Sequence, residues 1–359
     1  MLLPTRLQGL PGRADSPEER VLMDTILLDS SGNGLQRAAE LIRNGSVVGI
    51  PTETVYGLGA DACNEAAVRA IFAAKGRPAD NPLIVHLPDF SQVTRYTESV
   101  PELAYRLAER FCPGPLTMVL PKNSRIPYVT SGGLDTVGIR VPSHPAMHRI
   151  IELSGTVIAA PSANRSGYPS PTSAEHVMRD MNGKIAAVVD GGQSELGVES
   201  TVISFDNDST VRILRPGCVT REMLLDICPE VIIDRAILNE LAEGEKAASP
   251  GMKYKHYSPK ADIIMVEASA VAFAGFAAEH GGDGIYFLIF SGDEGNFPCR
   301  CLTYGKDSTE QAHLLFERLR ELDDIGAERV YVRAPEKDGV GLAVYNRLIR
   351  AAGFEVIRI

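Results

Sequence analysis

The stretch NEAAVRAIFAAKGRPADNPLIVHL, residues 64–87, holds a complete helix-to-strand unit. Asn64 is a favoured helix N-cap, apolar residues then recur at helical spacing, and Gly76 fits the stop at the helix C-terminus. After a loop that contains two prolines, the apolar run PLIVHL is typical of a buried strand. Helices that alternate with buried strands in this way indicate an α/β domain.

The same alternation extends to both sides of this unit. The segments LQRAAELIRNG, PELAYRLAERF and HPAMHRIIELSG have helical spacing, and SVVGI, TMVL, TVGIRV and TVIAAP are short apolar strands. From Asp262 the alternation starts afresh as a β-α-β-α-β-α-β unit, for which a parallel, Rossmann-like sheet is the expected closure. No G-x-G-x-x-G follows its first strand, so dinucleotide binding is not indicated. The predicted division is an N-terminal extension (1–22), a first α/β domain (23–235), a linker (236–261) and a smaller C-terminal α/β domain (262–359).

Composition and charge narrow the class of protein. The 359 residues are 44% hydrophobic and 23% charged, as in an ordinary soluble globular protein. A net charge of −10 argues against a protein that coats nucleic acid, since neutralising phosphates requires a basic excess. The six cysteines show neither zinc nor disulfide spacing, and no segment resembles a signal peptide or a membrane span. We therefore predict reduced thiols, a cytoplasmic location and no membrane partner.

The segment GIPTETVYGLGADA, residues 49–62, places polar side chains where a strand ends. Thr52, Glu53 and Thr54 come shortly after the strand and are followed by two glycines, which allow close approach of the backbone. Such an arrangement suits a small-molecule pocket at the end of a strand. It is equally compatible with a plain turn whose hydroxyls are hydrogen-bonded locally.

Two cations flank the glycine that ends the helix of residues 64–76. Lys75 is either a surface cap favoured by the helix dipole or, together with Arg77, part of a pair that converges on an anion such as a polyphosphate. Asn81 lies in the same loop. His86, at the end of the apolar strand, is either a hydrogen-bonded core histidine or a substrate ligand.

Further polar residues lie in or near later strands. Arg140 is within an apolar strand, four residues after Thr136, so it must end at the surface or pair with a buried group such as a substrate carboxylate. The segment AAPSANRSGYPSPTSAEHV offers hydroxyls and an amide that serve either as caps and turns or as donors to phosphate and ribose oxygens. These residues are Ser162, Asn164, Ser170, Thr172 and Ser173. Ser200, Thr201 and Arg215 are ambiguous alone. The P-loop, kinase, serine-hydrolase and H-E-x-x-H motifs are missing from the sequence.

Seven segments in their order and spacing resemble the YrdC-like family of threonylcarbamoyl-AMP synthases. They are PTETVYGLGADA, KGRPADNPLIVH, PGPLT, VGIRVPSHP, APSANRSGYPSPT, GGQSELGVESTV and LRPG. The family signature, Lys-x-Arg followed later by Ser-x-Asn, is matched by Lys75, Arg77, Ser162 and Asn164. The segment SPGMKYKHYSP and the Rossmann-like tail resemble the long, two-domain form of the enzyme. The resemblance implies a twisted, open, mixed sheet with helices for the first domain.

The resemblance also implies a reaction. The chain would be a nucleotidyltransferase that makes threonylcarbamoyl-adenylate and pyrophosphate from L-threonine, bicarbonate and ATP, with Mg²⁺ on the phosphates and no metal site of the protein's own. A separate transferase complex would move the threonylcarbamoyl group to the adenosine beside the anticodon of tRNA, with at most weak tRNA contact by this chain. Because the threonine N-carboxylate itself would attack the α-phosphorus, positioning and charge neutralisation would account for catalysis.

The roles of individual residues follow from the same resemblance. Lys75 and Arg77 would be catalytic because they neutralise phosphate charge. The threonine site would consist of Thr54, His86, Arg140 and Ser200, with Arg140 as the carboxylate partner. The ATP site would consist of Lys75, Arg77, Asn81, Thr136, Ser162, Asn164, Ser170, Arg215 and Tyr257, with Thr117 as a weaker candidate.

The linker has two possible roles. Lys253, Lys255, His256 and Tyr257 could close over ATP as a lid and exclude water from the adenylate. Alternatively, the tyrosines could pin the linker to a domain surface.

Two other functions are weaker alternatives. An RNA-binding module would use Lys75, Arg77 and Arg215 as a concave basic surface, against which the overall acidity argues. A carbamoyl-adenylate handler of the hydrogenase-maturation kind would need acylphosphatase and zinc-finger-like segments, which this sequence lacks.

Overall fold

The computed structural model describes residues 24–239 and 257–359. The strands of the first range are β1 (Ile26–Asp29), β2 (Val48–Ile50), β3 (Gly57–Asp61), β4 (Ile84–His86), β5 (Leu116–Pro121), β6 (Thr136–Arg140), β7 (Ile158–Ala159), β8 (Ala187–Asp190), β9 (Thr201–Phe205), β10 (Thr210–Arg215) and β11 (Glu230–Ile233). The helices are α1 (Gly32–Arg43), α2 (Glu65–Lys75), α3 (Glu102–Phe111), α4 (Pro145–Ser154), α5 (Ala174–Met181) and α6 (Arg221–Leu225). Short 3₁₀ segments occupy Phe90–Arg95 and Arg235–Ile237.

Helix α2 begins and ends at the residues that its sequence predicts. Asn64 Oδ1 accepts hydrogen bonds from the backbone N–H groups of Ala66 at 3.0 Å and Ala67 at 3.2 Å. Gly76 ends the helix in the left-handed conformation, with φ of 64°, which glycine adopts without steric cost. Because the cap fixes the last turn, Lys75 and Arg77 leave the helix at a defined point beside the sheet.

The first domain is built on one mixed sheet of eleven strands. Their order is β1-β8-β2-β3-β7-β4-β6-β5-β9-β10-β11. Strand β4 pairs with β6 in parallel and with β7 antiparallel, so His86 lies next to Arg140 on one side and Ile158 on the other. The predicted mixed α/β sheet is confirmed.

Strand β3 contains the last two glycines of GIPTETVYGLGADA: Gly57 lines a pocket, as the pocket interpretation predicts, whereas Gly59 has a packing role. They lie within a strand that pairs with β2, rather than in a loop. A Cβ on Gly59 would lie 2.4 Å from Ile50 Cδ1 and 3.0 Å from Ile158 Cγ2. Packing of neighbouring strands, and not approach of a ligand, therefore requires glycine at position 59.

The second described range forms the C-terminal domain. Its strands are β12 (Asp262–Glu267), β13 (Ile285–Ile289), β14 (Cys301–Thr303), β15 (Arg329–Arg333) and β16 (Val356–Arg358), and its helices are α7 (Ala270–His280), α8 (Ser308–Asp324) and α9 (Gly341–Ala351), with a 3₁₀ segment at Glu294–Asn296. The strand order is β14-β13-β15-β12-β16, and every pair is parallel, as predicted. The sequence did not predict β14, because three residues at a sheet edge give too short an apolar run.

The C-terminal domain packs against the first domain through α8 and α9. All eleven residues of α9 are buried, including two arginines and an asparagine. Asn346 Nδ2 donates to the carbonyl oxygen of Ile237 at 2.6 Å, and Arg350 Nη2 donates to that of Ala236 at 2.7 Å. A helix buried on all sides cannot serve as a free surface, so its polar side chains bond across the domain interface.

Most of the predicted linker lies outside the described residues. This includes Lys253, Lys255 and His256, whereas Tyr257 is described. Within residues 24–239 and 257–359, no helix combines the length and apolar character needed to cross a membrane.

Candidate functional site

A cavity lies against strands β3, β4 and β6 of the first domain. Its lining residues are Thr52, Thr54, Val55, Gly57, Arg77, Ile84, His86, Arg140, Ala160, Pro161, Ser162, Glu199, Arg215 and Tyr257. Seven of the predicted site residues are among them: Thr54, Arg77, His86, Arg140, Ser162, Arg215 and Tyr257. The predicted residues that do not line the cavity are Lys75, Asn81, Thr136, Asn164, Ser170 and Ser200.

Arg140 is paired with a buried carboxylate of the protein. Its Nη2 lies 2.7 Å from Glu53 Oε1 and donates to Thr54 Oγ1 at 3.0 Å. Burial alone would raise the pKa of Glu53, but the attraction and hydrogen bonding of Arg140 outweigh it and the pKa is lowered. Glu53 is thus a carboxylate at neutral pH, and it holds the guanidinium at the cavity wall.

Arg77 and Arg215 have no such partner. Neither forms an ion pair with a carboxylate among the described residues. Arg77 Nη2 reaches only the carbonyl oxygens of Asn81 and Pro82, both at 3.3 Å, and its buried Nε has no hydrogen-bond partner. Arg215 donates to the carbonyl oxygen of Ser200 at 3.1 Å and to its Oγ at 3.0 Å. Burial lowers the pKa of both arginines to about 10, so both remain cations at neutral pH.

His86 is both a core residue and a cavity residue. Its Nδ1 lies 3.2 Å from the carbonyl oxygen of Ile158. Burial, followed by the charge of Arg140, lowers the pKa of His86 to about 3, so the ring is neutral. Nδ1 then carries the proton that it donates to Ile158, and Nε2 is left as a hydrogen-bond acceptor.

Lys75 lies one layer behind the cavity wall, and the surface-cap interpretation is wrong because it is only 4% exposed. Its Nζ donates to the carbonyl oxygens of Ser162 and Asn164, the latter at 2.8 Å, and to Asn164 Oδ1 at 3.3 Å. Burial and the neighbouring charge of Arg77 lower the pKa of Lys75 well below its usual value. The ammonium group fastens the Ser162 loop, with one acceptor for each of its three N–H groups.

The other predicted residues support the wall from behind. Asn164 Oδ1 accepts from Ser162 Oγ at 2.5 Å, and Ser200 Oγ lies 2.8 Å from Thr117 Oγ1. Ser170 Oγ donates to Glu199 at 2.6 Å. Asn81 contacts Arg77 through its carbonyl oxygen, as described above.

Thr136 is not brought into the main cavity. It lines a separate narrow slot together with Thr117, Leu134 and Gly138. Ile84 lines both spaces, so the slot adjoins the cavity.

Tyr257, at the end of the linker, forms part of the wall and is pinned at the same time. It is 2% exposed, and its ring centroid lies 5.2 Å from that of Phe316 on α8. Its φ is 66°, a left-handed backbone conformation that residues other than glycine rarely adopt. Tyr257 is thus packed against α8, as the pin role predicts, and it also lines the cavity.

Three charged residues of the site did not figure in the predicted ligand sets. Glu53 could have been selected, because it stands between two of the threonines that line the cavity. Glu199 precedes Ser200 and could have been found by the same adjacency. Arg347, which pairs with Glu199 at 2.9 Å, lies on α9 of the other domain and has no signal in the sequence.

The cavity is a buried cationic site rather than an exposed basic surface. Arg77, Arg140 and Arg215 line it, and its two carboxylates are paired, Glu53 with Arg140 and Glu199 with Arg347 behind the wall. Because Lys75, Arg77 and Arg215 are 4 to 8% exposed, they do not form the concave surface that an RNA-binding module would need. In the parts of the chain that the structure describes, no three His, Cys, Asp or Glu side chains are grouped to hold a metal ion.

Comparison with known proteins gives two family matches. The family Sua5/YciO/YrdC, described as telomere recombination, matches residues 40–217. The family described as the C-terminal domain of threonylcarbamoyl-AMP synthase matches residues 219–353.

Relatives of full length carry the same name in three organisms. The threonylcarbamoyl-AMP synthase of Pyrococcus abyssi is 45% identical over 331 residues, 90% of this chain and 95% of the relative. That of Bacillus subtilis is 43% identical, over 92% of this chain and 96% of the relative. That of Schizosaccharomyces pombe is 37% identical, over 89% and 88%. The crystal structure of P. abyssi Sua5 complexed with L-threonine has a TM-score of 0.85 and 42% identity, and the match covers 93% of this chain and 100% of that one.

Proposed function

Because this chain belongs to the threonylcarbamoyl-AMP synthase family, we propose that it makes threonylcarbamoyl-adenylate and pyrophosphate from L-threonine, bicarbonate and ATP. The observation that carries the proposal is the pair of buried arginines, Arg77 and Arg215. Both face the cavity without a carboxylate partner among the described residues. Keeping a cation buried without a counter-charge is costly unless an anion completes the site, and a polyphosphate is such an anion.

Threonine binds at the end of the cavity formed by Arg140, Thr54 and His86. Arg140 is held in place through Nη2 and Nε, which contact Glu53, Thr54 and the carbonyl oxygen of Gly114. Its Nη1 is the group that receives the substrate carboxylate. The unprotonated Nε2 of His86 accepts a hydrogen bond from the substrate amine. The threonine-bound structure of the P. abyssi relative supports this substrate.

The nucleotide occupies the side formed by Arg77, Ser162, Arg215 and Tyr257. The two arginines neutralise the phosphates, and the Oγ and backbone of Ser162 lie on a loop that Lys75 holds still. Lys75 thus contributes to catalysis by positioning this loop, and Arg77 by charge.

The chemistry needs no nucleophile from the protein. The threonine amine and bicarbonate give an N-carboxylate and water, and one carboxylate oxygen then attacks the α-phosphorus. The bond from that phosphorus to the bridging oxygen breaks, and pyrophosphate leaves with the electron pair. Negative charge develops on oxygens that face Arg77 and Arg215, and preorganised cations in a water-poor cavity stabilise such charge strongly.

The donor set fits Mg²⁺ bound through the nucleotide rather than through a protein cage. Magnesium commonly keeps several waters and binds phosphates with one or two carboxylates. Of the cavity carboxylates, Glu53 is engaged with Arg140, and Glu199 with Arg347 and Ser170. When bound, the ion shields charge on the phosphates.

The adenylate is a mixed anhydride, so its threonylcarbamoyl group must pass to an acceptor before water hydrolyses the anhydride. We assign transfer to tRNA to a separate transferase, because the buried cavity has no surface on which a tRNA anticodon could dock. The whole process is assigned to the cytoplasm.

The test is pyrophosphate release from ATP and Mg²⁺, with threonine and then bicarbonate omitted in a buffer free of carbon dioxide. We expect release only in the complete mixture, together with an adduct of the mass of threonylcarbamoyl-adenylate. Release that continues unchanged without both substrates would refute the proposal. Chelation of Mg²⁺ is expected to stop the reaction, and its restoration to recover it.

A further inference from the structure

Arg347 reaches from the C-terminal domain to the back of the cavity. Its side chain is completely buried. Its Nε donates to Glu199 Oε2 at 2.9 Å, its Nη2 to the Glu199 carbonyl oxygen at 3.4 Å, and its Nη1 to the Pro216 carbonyl oxygen at 2.7 Å. One guanidinium therefore joins the residue before Ser200 to the residue after Arg215.

The two segments that Arg347 joins are already in close contact. Arg215 donates to both the carbonyl oxygen and Oγ of Ser200. A Cβ on Gly217 would lie 2.4 Å from the backbone nitrogen of Thr201 and 2.8 Å from the carbonyl oxygen of Glu199. The two segments are already as close as their backbones allow. The bonds of Arg347 to Glu199 and Pro216 keep them at this spacing.

The same region is held from a second helix. Ser170 Oγ donates to Glu199 Oε1 at 2.6 Å, and the preceding carbonyl oxygen, of Pro169, accepts from Arg320 Nη2 on α8 at 2.6 Å. Arg320 also pairs with buried Asp180 at 2.8 Å. The C-terminal domain thus holds both the segment at Glu199, which leads into β9, and the loop at Ser170.

We propose that Arg347 is a positioning residue for the nucleotide, which neutralises Glu199 from outside the first domain and so keeps Arg215 available to phosphate. Glu199 and Arg215 both line the cavity, and they are linked through Ser200. Without Arg347, the charge on Glu199 would attract Arg215 and repel phosphate. The inference rests on the proposed use of ATP and gives the C-terminal domain a part in it.

The charge state of Glu199 agrees with this geometry. Burial acts to raise its pKa, but Arg347 and then Arg215 lower it to about 2, so the residue is a carboxylate at neutral pH. Since Arg347 is the stronger of the two opposing charges, its removal leaves Arg215 as the main counter-ion. The cavity would then offer one arginine fewer to phosphate, although none of its lining residues had been replaced.

The test compares ATP binding by calorimetry, and KM for ATP and for threonine, in four variants of the full chain. They are Arg347→Gln, Arg347→Lys, the double variant Glu199→Gln/Arg347→Gln, and Arg179→Gln. The last removes an exposed ion pair with Asp324 at the same domain interface and is the matched control. Its ATP affinity is expected to equal that of the wild type.

For Arg347→Gln we expect an ATP Kd and KM raised about tenfold or more, because a buried charge loses its partner, with the KM for threonine changed less than about threefold. The double variant removes the unpaired charge and is expected to recover ATP affinity to within about fivefold of the wild type. A merely structural role would predict no recovery. Unchanged ATP affinity in Arg347→Gln, equal losses for both substrates, or a double variant as weak as the single one would overturn the inference.

If Arg347→Gln fails to fold while the double variant folds and binds ATP, the unpaired charge of Glu199 is the cause and the inference stands. If both fail to fold, Arg347→Lys decides, because it keeps the charge with fewer donors. Because the charge on Glu199 stays neutralised, the ATP Kd of Arg347→Lys is expected to remain within about threefold of the wild type, and a folded Arg347→Lys variant whose ATP affinity falls tenfold or more would overturn the inference. A wild-type chain that does not bind ATP would refute the proposed function and the inference together, whereas failure in the variants alone refutes only the inference.

Discussion

Replacement of Lys75 by methionine separates the two ways in which this residue could serve the site. The unbranched methionine side chain fills a similar volume without an ammonium group. The variant deprives two buried acceptors of their donor, the carbonyl oxygens of Ser162 and Asn164, while Asn164 Oδ1 keeps its hydrogen bond from Ser162 Oγ. Arg77→Met is its natural comparison, because it removes the other cation of the same loop.

The expected cost for Lys75→Met follows from these contacts. Each buried acceptor left unpaired costs about 1–3 kcal/mol, and the sum is reduced because a buried ammonium no longer has to be desolvated. A net loss of about 2–4 kcal/mol corresponds to a fall in Tm of roughly 4–16 °C for a cooperative unit of the size of the first domain, and to less if both domains unfold together. ATP affinity falls as well, since the Ser162 loop loses its anchor.

Arg77→Met is expected to show the opposite balance. With the described residues the side chain makes two 3.3 Å hydrogen bonds, and its buried Nε has no partner among them, so the stability loss should stay below about 1.5 kcal/mol. Loss of charge-assisted hydrogen bonds to phosphate, worth about 1.5–3 kcal/mol, would raise the Kd for ATP by roughly 10- to 150-fold.

Thermal denaturation and calorimetric titration with ATP measure the two effects separately. Lys184→Met is the control, because this lysine is exposed and makes one 3.2 Å hydrogen bond, to the Asp180 carbonyl oxygen. Lys184→Met should change neither the Tm nor the Kd for ATP. A Lys75→Met variant that melts with the wild type but no longer binds ATP would refute the loop-anchor reasoning and make Lys75 a direct phosphate ligand.

Three further outcomes follow from the structure. The pKa of His86 is about 3 in the folded protein and about 6.5 ordinarily, so the unfolded chain binds more protons between these two values. The free energy of unfolding therefore falls as the pH drops through this window. Denaturation at pH 4 and pH 7 should show that His86→Gln removes about 3 kcal/mol of this dependence. Arg140→Gln leaves Glu53 buried without its cation and should lower the free energy of unfolding by about 3–5 kcal/mol. The double variant with Glu53→Gln should recover most of this stability but not the affinity for threonine. Recovered threonine affinity would contradict the role given to Arg140. Gly59→Ala should cost about 1–3 kcal/mol, because its methyl group overlaps Ile50, while titration shows ATP affinity unchanged; a wild-type Tm would contradict the packing explanation.

The sequence predicts those features that depend on neighbouring residues. Helix α2 carries its own start and stop signals at Asn64 and Gly76, and the structure uses both. The parallel C-terminal sheet follows from regular alternation of helices and strands, which leaves few ways to connect them. Strands β3 and β14 escape prediction because glycines in one and brevity in the other weaken the apolar pattern.

The sequence also names the residue types of the site but not their partners. Motif order selects Arg77, Arg140 and Arg215, and the structure brings all three to one cavity. That Arg140 pairs with a carboxylate, while Arg77 has none among residues 24–239 and 257–359, depends on which carboxylate folds beside which arginine. Such pairs join residues far apart in the chain, as Glu53 and Arg140 do, and local patterns contain no record of them.

By itself, then, the sequence determined the α/β architecture of both domains and the cationic, hydroxyl-rich character of the site, because helix caps, strand patterns and residue chemistry are local properties. Only the tertiary structure decided that Lys75 anchors a loop, that His86 is neutral, and that Arg347 of the second domain balances Glu199 of the first. Burial and the distances between charges set these properties. Both exist only after segments far apart in the chain have packed together.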